Sequence, residues 1–112
     1  LSWNRLAPQA VRGYKMKLSE DMVVVRKHYD SGSFEIRFEK RRNHVCISVK
    51  TEDDPGPGRV RATLLRDKRE VASHLIDGST CQFEEIPFSD YTLQFKKDGE
   101  DIGEYPFELR EK

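Results

Sequence analysis

The stretch FEEIPFSDYTLQFKKDGEDIGEYPFEL, residues 83–109, decides the fold of this chain. Apolar residues occupy alternate positions on both sides of an Asp98-Gly99 dipeptide. These residues are Tyr91, Leu93 and Phe95 before the dipeptide, and Tyr105, Phe107 and Leu109 after it. A two-residue period is typical of a strand with one buried face, and Asp-Gly between two such runs favours a tight hairpin turn. The stretch therefore predicts two antiparallel strands whose aromatic rings lie inside the protein.

The second of these strands carries two irregularities. Ile102 is out of phase with Tyr105 and the apolar residues that follow, and a β-bulge near Gly103 would absorb this shift. Pro106 cannot donate a hydrogen bond to a neighbouring strand. We therefore expect this last strand to lie at an edge of its sheet, or its proline to point away from the neighbouring strand.

The same alternation recurs upstream, between clear turn signals. Its apolar positions are Phe34, Ile36 and Phe38, then Val45, Ile47 and Val49, then Val60, Ala62 and Leu64. Residues 22–25 and 71–76 add two further apolar segments that suit strands. The polar segment 40–43, the Pro-Gly-rich segment 52–58 and Asp77-Gly78 predict the loops and turns between them.

Seven or eight short strands without a helical period predict an all-β domain. We expect an antiparallel two-sheet β-sandwich of the prealbumin or immunoglobulin type. A closed barrel is the less favoured alternative, because Pro106 implies an open edge. We assign the sandwich to residues 22–112 and expect residues 1–21 to form an N-terminal arm or linker. Since the chain starts at Leu1, we interpret it as a piece of a longer protein.

The charge balance argues against several kinds of partner. Twenty basic and 20 acidic residues cancel, and residues 1–56 carry a net +3 against −3 for residues 57–112. Nucleic acids require clustered Lys and Arg, so we expect no nucleic-acid partner. No run of 18 apolar residues is present, so we expect no membrane insertion of this chain.

The two cysteines leave the cellular compartment open. A disulfide between Cys46 and Cys81 would fit two facing strands, whereas two free thiols would fit a reducing compartment. We favour free thiols, because a single pair is far weaker evidence for a disulfide than a framework of six cysteines.

Residues 58–109 resemble the prealbumin-like β-sandwich modules, called carboxypeptidase regulatory-like domains beside enzymes. The matching positions are Val60, Ala62 and Leu64, the Asp77-Gly78 turn, and then Phe83, Ile86, Pro87, Tyr91 and Leu93. Ser89-Asp90 stands where that family has glycine, and Asp tolerates turn geometry. The resemblance implies a spacer, an adhesion stalk, a sensor portion of a bacterial envelope protein or a sugar-contacting module. Its motif consists of core and turn positions and therefore implies no site residues.

Catalytic and metal-binding patterns are weak in this sequence. It has no nucleophile elbow, no phosphate-binding loop and no dinucleotide fingerprint, so we expect neither an enzyme nor a cofactor. His44 and Cys46 are spaced to share a strand face, but zinc requires three or four ligands. The acidic residues 52–54 lack the spacing of a calcium loop, and we interpret them as part of a solvated loop. We therefore expect no metal. His74 shares its phase with the apolar residues around it, which predicts a partly buried side chain.

These exclusions lead to the hypothesis of a non-catalytic interaction module that contacts another protein. Candidate contact residues are Lys40, Arg41 and Arg42 at a hairpin tip, and Asp53 and Asp54 in the loop. An open strand edge would serve equally. Two alternatives remain: a carbohydrate-binding module, which would need exposed aromatic rings, and a sensor or regulatory domain of an envelope or signalling protein. The sequence leaves the oligomeric state open.

Overall fold

A computed structural model describes residues 15–17, 22–52, 59–76 and 80–110. Nine β-strands account for most of these residues. They are β1 (Lys15–Lys17), β2 (Met22–Tyr29), β3 (Gly32–Lys40), β4 (Val45–Thr51), β5 (Val60–Arg66), β6 (Arg69–Leu75), β7 (Thr80–Ile86), β8 (Asp90–Lys97) and β9 (Glu100–Arg110). The described residues contain no helix, and so none that could cross a membrane.

The strands form two sheets. Four antiparallel strands, in the order β2-β3-β4-β7, make one sheet, and four more, in the order β9-β8-β5-β6, make the other. The short strand β1 extends the second sheet by pairing parallel to the end of β9. The predicted all-β, antiparallel two-sheet sandwich is therefore confirmed. The alternative of a closed barrel is wrong, because each sheet ends in edge strands of its own.

The core lies between the sheets and is built by the predicted alternation. Phe34 from β3 and Phe95 from β8 stack across the two layers, with ring centroids 4.1 Å apart and planes inclined by 9°. Further along, Phe38 meets Phe107 edge to face at 5.0 Å. All four rings are buried. Because offset and edge-to-face ring pairs add to the free energy gained from apolar burial, these contacts fix how one sheet sits on the other.

The hairpin predicted for residues 83–109 is present as β8 and β9. Asp98 and Gly99 form its turn with φ angles of 51° and 87°, the left-handed pair that a type I′ hairpin turn requires. The predicted bulge is also confirmed. Phe95 pairs with Gly103 whereas Lys96 pairs with Asp101, so Ile102 is the extra residue. The slip in phase in the sequence is thus absorbed by one unpaired residue.

Pro106 lies where its missing N–H costs the sheet nothing. The amide of Leu109 donates to the carbonyl of Ser89, the residue just before β8. Successive residues of a strand point their main-chain groups to opposite sides, so the nitrogen of Pro106, three residues earlier, points away from β8. The prediction of an edge holds for this part of β9. Beyond it, β1 covers the edge at residues 108–110. The residues of β1 fall within the segment 1–21 for which we predict an arm, and the boundary at residue 22 stays a prediction.

Candidate interaction surface

The ends of the two sheets offer four strand edges, and three of them carry features that oppose pairing with another chain. Strand β2 has adjacent charges at Arg26 and Lys27. Strand β7 has a register shift against β4, with Glu85 in the left-handed region at φ 58°. Strand β9 has Pro106, a bulge and the cover of β1. Charged residues, bulges and proline are the usual means by which natural sheets block their edges.

Strand β6 carries such features in its first half only, where Arg69 and Glu70 are adjacent charges. It pairs with β5 only, and no other strand of the described chain covers its far side. Its one irregularity is near the start, where Val71 is an extra residue between the pairs Leu64–Ala72 and Leu65–Glu70. Residues 72–75 then pair regularly with β5 and contain neither proline nor an acidic residue, lysine or arginine. This half of β6 therefore resembles an edge that can accept a further strand.

The free main-chain groups of this edge can be assigned from one hydrogen bond. The amide of Ile76 donates to the Val60 carbonyl at 2.9 Å, so residue 76 points its main chain toward β5. In an antiparallel ladder this orientation alternates, which turns the N–H and C=O of Ser73 and Leu75 away from β5. Two donors and two acceptors thus line the open side of the strand.

The side chains on β6 are unusually apolar for a solvent-facing edge. Three large hydrophobic residues are exposed in the described part of the chain: Val71 and Leu75 of β6, at 46% and 37% exposure, and Met22 at the start of β2. Between them, the Ser73 hydroxyl is 2.9 Å from the Thr63 hydroxyl and accepts a bond from Arg61 Nη1 at 3.1 Å. An apolar, a polar and an apolar position therefore follow one another along the open strand.

The local sequence explains why β6 forms in spite of this exposure. Asp67 and Lys68 have φ angles of 54° and 65°, so a type I′ turn folds β6 back on β5. On the inner face, Ala72 and Ile76 pack against the core. His74, expected to be partly buried, is exposed instead, although its ring lies 4.9 Å from that of Phe83. Because β6 is an edge strand, it has a neighbouring strand on one side only. The imidazole of His74 is therefore open to solvent on the other side.

Charge is distributed unequally across the sheet that contains β6. The β5–β6 hairpin, residues 59–76, carries five basic and two acidic residues, a net charge of +3. The β8–β9 hairpin, residues 90–110, carries three basic and six acidic residues, a net charge of −3. Within the described residues, none of the five cations of the β5–β6 hairpin forms an ion pair. The open edge is thus the basic end of its sheet.

The basic residues predicted as a contact site lie at the tip between β3 and β4. Lys40 is the last residue of β3, and Arg41 and Arg42 are exposed in the loop that follows. Arg41 is held by Glu39, with Nη1 3.1 Å from the carboxylate. The acidic residues Asp53 and Asp54 lie outside the described residues. Whether either group contacts a partner stays a prediction.

His44 and Cys46 come together with charged residues in a small depression of about 200 Å³. Its other lining residues are Glu39, Arg41, Gln82, Glu84 and Glu85. No three histidine, cysteine or carboxylate side chains of the described chain are arranged to hold a metal ion. Burial raises the pKa of the Cys46 thiol, which disfavours the reactive thiolate.

The two cysteines do not form a disulfide. Both are free, and Cys81 pairs with Val49, whose side chain is in the core. Cys46 is an odd number of residues from Val49 and therefore faces the opposite side of the sheet. Burial raises the pKa of the Cys81 thiol to about 11, so this group is an apolar packing residue at neutral pH.

One carboxylate, Glu35, is buried on the outer face of the β2–β3–β4–β7 sheet. It accepts a hydrogen bond from Arg37 at 2.9 Å and lies 3.4 Å from Arg26, which also pairs with Glu52 at 2.8 Å. The bond from Arg37, together with the charges of both guanidiniums, lowers the pKa of Glu35. A carboxylate whose oxygens are bonded to two arginines has a structural role and is a poor candidate for acid–base chemistry.

A groove of about 610 Å³ lies over the outer face of β8 and β9. Several of its polar groups already have partners: Gln94 donates to Glu104 at 3.2 Å, and Arg110, beside the groove, pairs with Asp90 at 2.8 Å and with Glu108 at 3.5 Å. The groove also lacks an exposed aromatic platform, because the rings that approach it, Tyr91 and Phe107, are buried. It is therefore a weaker candidate than the open edge of β6.

Comparisons with known proteins leave the family open. A scan against protein-family models found no match, and searches of curated proteins and of solved structures found no significant similarity. The resemblance to prealbumin-like modules therefore stays a prediction.

The sequence indicates the loops or an open strand edge as the contact surface, and it does not single out β6. Residues 71–76 were identifiable as apolar, but their position at a sheet edge depends on pairing between distant strands. One feature of the sequence does indicate exposure. Residues 71–76 have apolar side chains at both odd and even positions, whereas a strand with one buried face requires apolar side chains at only one of the two sets.

Proposed function

We propose that this chain is a non-catalytic, protein-binding module of a larger protein, and that it binds by accepting a strand of its partner at the open edge of β6. The observation that carries the proposal is the contrast between this edge, with its exposed Val71 and Leu75, and the other three. Strand addition satisfies free main-chain groups and covers apolar side chains in one step.

The arrangement of strands supports a module of the immunoglobulin type. In that type, the first, second and fifth strands share one sheet, and the third, sixth and seventh share the other. Here β3, β4 and β7 correspond to the first set, and β5, β8 and β9 to the second, with β6 as an additional edge strand beside β5.

A hydrogen bond at the start of β8 supports the same assignment. The Tyr91 hydroxyl donates to the Pro87 carbonyl at 2.7 Å. A tyrosine at the start of the sixth strand that bonds back to the preceding corner is a hallmark of immunoglobulin-type sandwiches. In this assignment β6 belongs to the scaffold, so that a rigid sheet presents the proposed binding edge.

The carbohydrate-binding alternative lacks such support. It requires two exposed aromatic rings on one face, and Tyr91, Phe95, Tyr105 and Phe107 are all buried. Tyr29 is partly buried, packed among Phe34 and Phe95. Trp3 and Tyr14 lie outside the described residues. A sensor or regulatory domain would use the same kind of protein contact and is compatible with the proposal.

A random dodecapeptide library, displayed on phage and selected on the immobilised protein, tests the proposal. We expect enriched peptides to lose at least tenfold in affinity for the variant Ser73→Pro, because proline removes an amide that points to the open side of β6. The double variant Arg41→Ser/Arg42→Ser is the matched control and should bind as the wild type does. Peptides that bind Ser73→Pro normally, or that depend on the two arginines instead, would contradict edge binding.

A further inference from the structure

We infer that the strand accepted by β6 is an acidic segment with the pattern apolar-x-acid-x-apolar. This inference rests on the proposed function and adds to it the chemical class of the partner. Three features of the molecule carry it: the net charge of the hairpin behind the edge, the position of Arg61, and the spacing of the exposed apolar residues.

The charge of the β5–β6 hairpin favours an acidic partner. Its net +3 is not neutralised by ion pairs within the described residues, whereas Arg26, Arg37, Arg41 and Arg110 elsewhere each have a carboxylate within reach. Potentials of opposite sign steer association and penalise wrong partners. A segment with one or two carboxylates therefore approaches this edge more favourably than a neutral or basic one.

Arg61 determines where along the edge the acidic residue belongs. Its guanidinium reaches across from β5 to the outer face of β6 and donates to the Ser73 hydroxyl at 3.1 Å. The residue of an added strand directly opposite Ser73 has its side chain on this same face. A Glu or Asp at that position would lie within reach of the guanidinium, whose remaining N–H groups suit a carboxylate.

The exposed apolar residues determine the flanking positions. Leu75 pairs with Arg61, whose side chain is on the outer face, so Leu75 lies on that face together with Ser73. Val71, two residues before Ser73, is also exposed. Side chains on one face of a strand recur every second residue, so a partner residue two positions from the acid lies opposite Leu75. On the other side of Ser73 the bulge interrupts this spacing, and there the exposed Val71 is the nearest large apolar side chain of β6. Apolar side chains there would cover the exposed surface of Val71 and Leu75.

A second copy of this chain fits the edge less well. Antiparallel pairing of β6 with itself would bring two hairpins of net charge +3 side by side, and like charges across an interface are unfavourable. Such pairing also supplies no carboxylate opposite Ser73, because residues 71–76 contain none.

Three synthetic peptides test the inference in the full chain. They share the sequence Gly-Ser-Val-Thr-Glu-Thr-Val-Ser-Gly with blocked ends, and the central Glu is kept, replaced by Gln or replaced by Lys. Binding is measured by titration of amide NMR shifts at low and high salt. We expect the Glu peptide to bind about fivefold more tightly than the Lys peptide at low salt, with a smaller ratio at 0.5 M salt.

Variants of the protein separate the inference from the proposed function. Arg61→Gln should weaken the Glu peptide about threefold and leave the Gln peptide unchanged, whereas Ser73→Pro should weaken all three peptides. Leu75→Gln, which removes exposed apolar surface without altering the main chain or the net charge, serves as a second variant that should weaken all three peptides if Ser73→Pro fails to fold.

The outcomes are distinct. If the three peptides bind equally well and all depend on Ser73, the acidic preference is wrong and edge binding stands. If no peptide depends on Ser73 or Leu75, and the displayed library does not either, both ideas fail. Self-association of the wild type in analytical ultracentrifugation that Ser73→Pro abolishes would make a second copy the occupant and overturn the acidic segment.

Discussion

On the side of β9, which β1 partly covers, the sheet opposes pairing with another chain, whereas on the side of β6 the same sheet has an open edge. Strand β9 combines Pro106 with a bulge and is fixed to the facing sheet by Tyr29 of β2, whose hydroxyl donates to the Glu104 carbonyl at 2.9 Å. Strand β6 has no comparable bond to β7. Its closest ring contact with the facing sheet joins the exposed His74 to Phe83. The difference separates a side of the sandwich that is fixed to the facing sheet from the side at which we propose that a partner binds.

The largest effect is expected from the core beneath the closed side. Phe95→Ala should lower the free energy of unfolding by about 3–5 kcal/mol, because it removes the stack on Phe34 and leaves a cavity among buried rings. Urea unfolding followed by circular dichroism measures the change. The matched substitution on the open side, Val71→Ala, should cost less than about 0.5 kcal/mol because the side chain is half exposed. If both substitutions lowered the free energy of unfolding equally, the β9 side would not be more important for stability than the β6 side.

The next effect concerns the contact between Gly103 and Tyr29. A Cβ on Gly103 would overlap the Tyr29 ring, so Gly103→Ala should lower the free energy of unfolding by about 1–3 kcal/mol through overpacking. The same substitution in a Tyr29→Ala background should cost much less, and this double-mutant cycle isolates the contact. Gly32→Ala is the control, since its Cβ would meet Phe34 at an ordinary 3.7 Å. A cost that is unchanged when Tyr29 is absent would show that the ring is not the obstacle.

A smaller effect on stability is expected from exchanging the residue types at equivalent positions of the two type I′ turns. Lys68, in the turn before β6, and Gly99, in the turn before β9, have φ angles of 65° and 87°. Because glycine adopts this conformation without strain, Lys68→Gly should raise the free energy of unfolding by up to about 1 kcal/mol and Gly99→Lys should lower it by a similar amount. Thermal and urea midpoints check both signs. If Lys68→Gly is destabilising, the lysine side chain has a stabilising role that outweighs its backbone strain.

The smallest effect on stability is expected at the edge itself. Val71→Thr and Leu75→Thr should each change the free energy of unfolding by no more than about 0.5 kcal/mol, since both side chains are exposed. The same variants should reduce peptide binding in the NMR titration, because they remove the apolar surface that an added strand covers. Unaltered binding by the double variant would assign recognition to the main chain alone.

Much of this fold could be predicted from local pattern. The two-residue period places Phe95 and Phe107 inside, Asp98-Gly99 marks a turn, and the phase slip at Ile102 marks a bulge, because each depends on neighbours in sequence. The Asp67-Lys68 turn escapes such reasoning because it lacks the glycine that normally marks a type I′ turn.

The candidate site could not be predicted in the same way. Strand β6 becomes an edge only because β5 pairs with β8, about 30 residues later in the chain, and this register is set by packing between the sheets. Arg61 and Ser73 likewise meet through strand pairing rather than through sequence proximity. The sequence indicates which residues are apolar, whereas their exposure depends on the order of strands in the sheet.

The contact of Tyr29 with Gly103 and Glu104 has a further consequence for how the protein fluctuates. Strands β2 and β9 share no ladder, so this side chain joins their two sheets on one flank. Transient separation of the layers is therefore expected to start on the opposite flank, and deuterium should enter the amides of β6 and β7 long before those of β8. Tyr29→Ala should reduce this asymmetry, and the two flanks should then exchange at more similar rates.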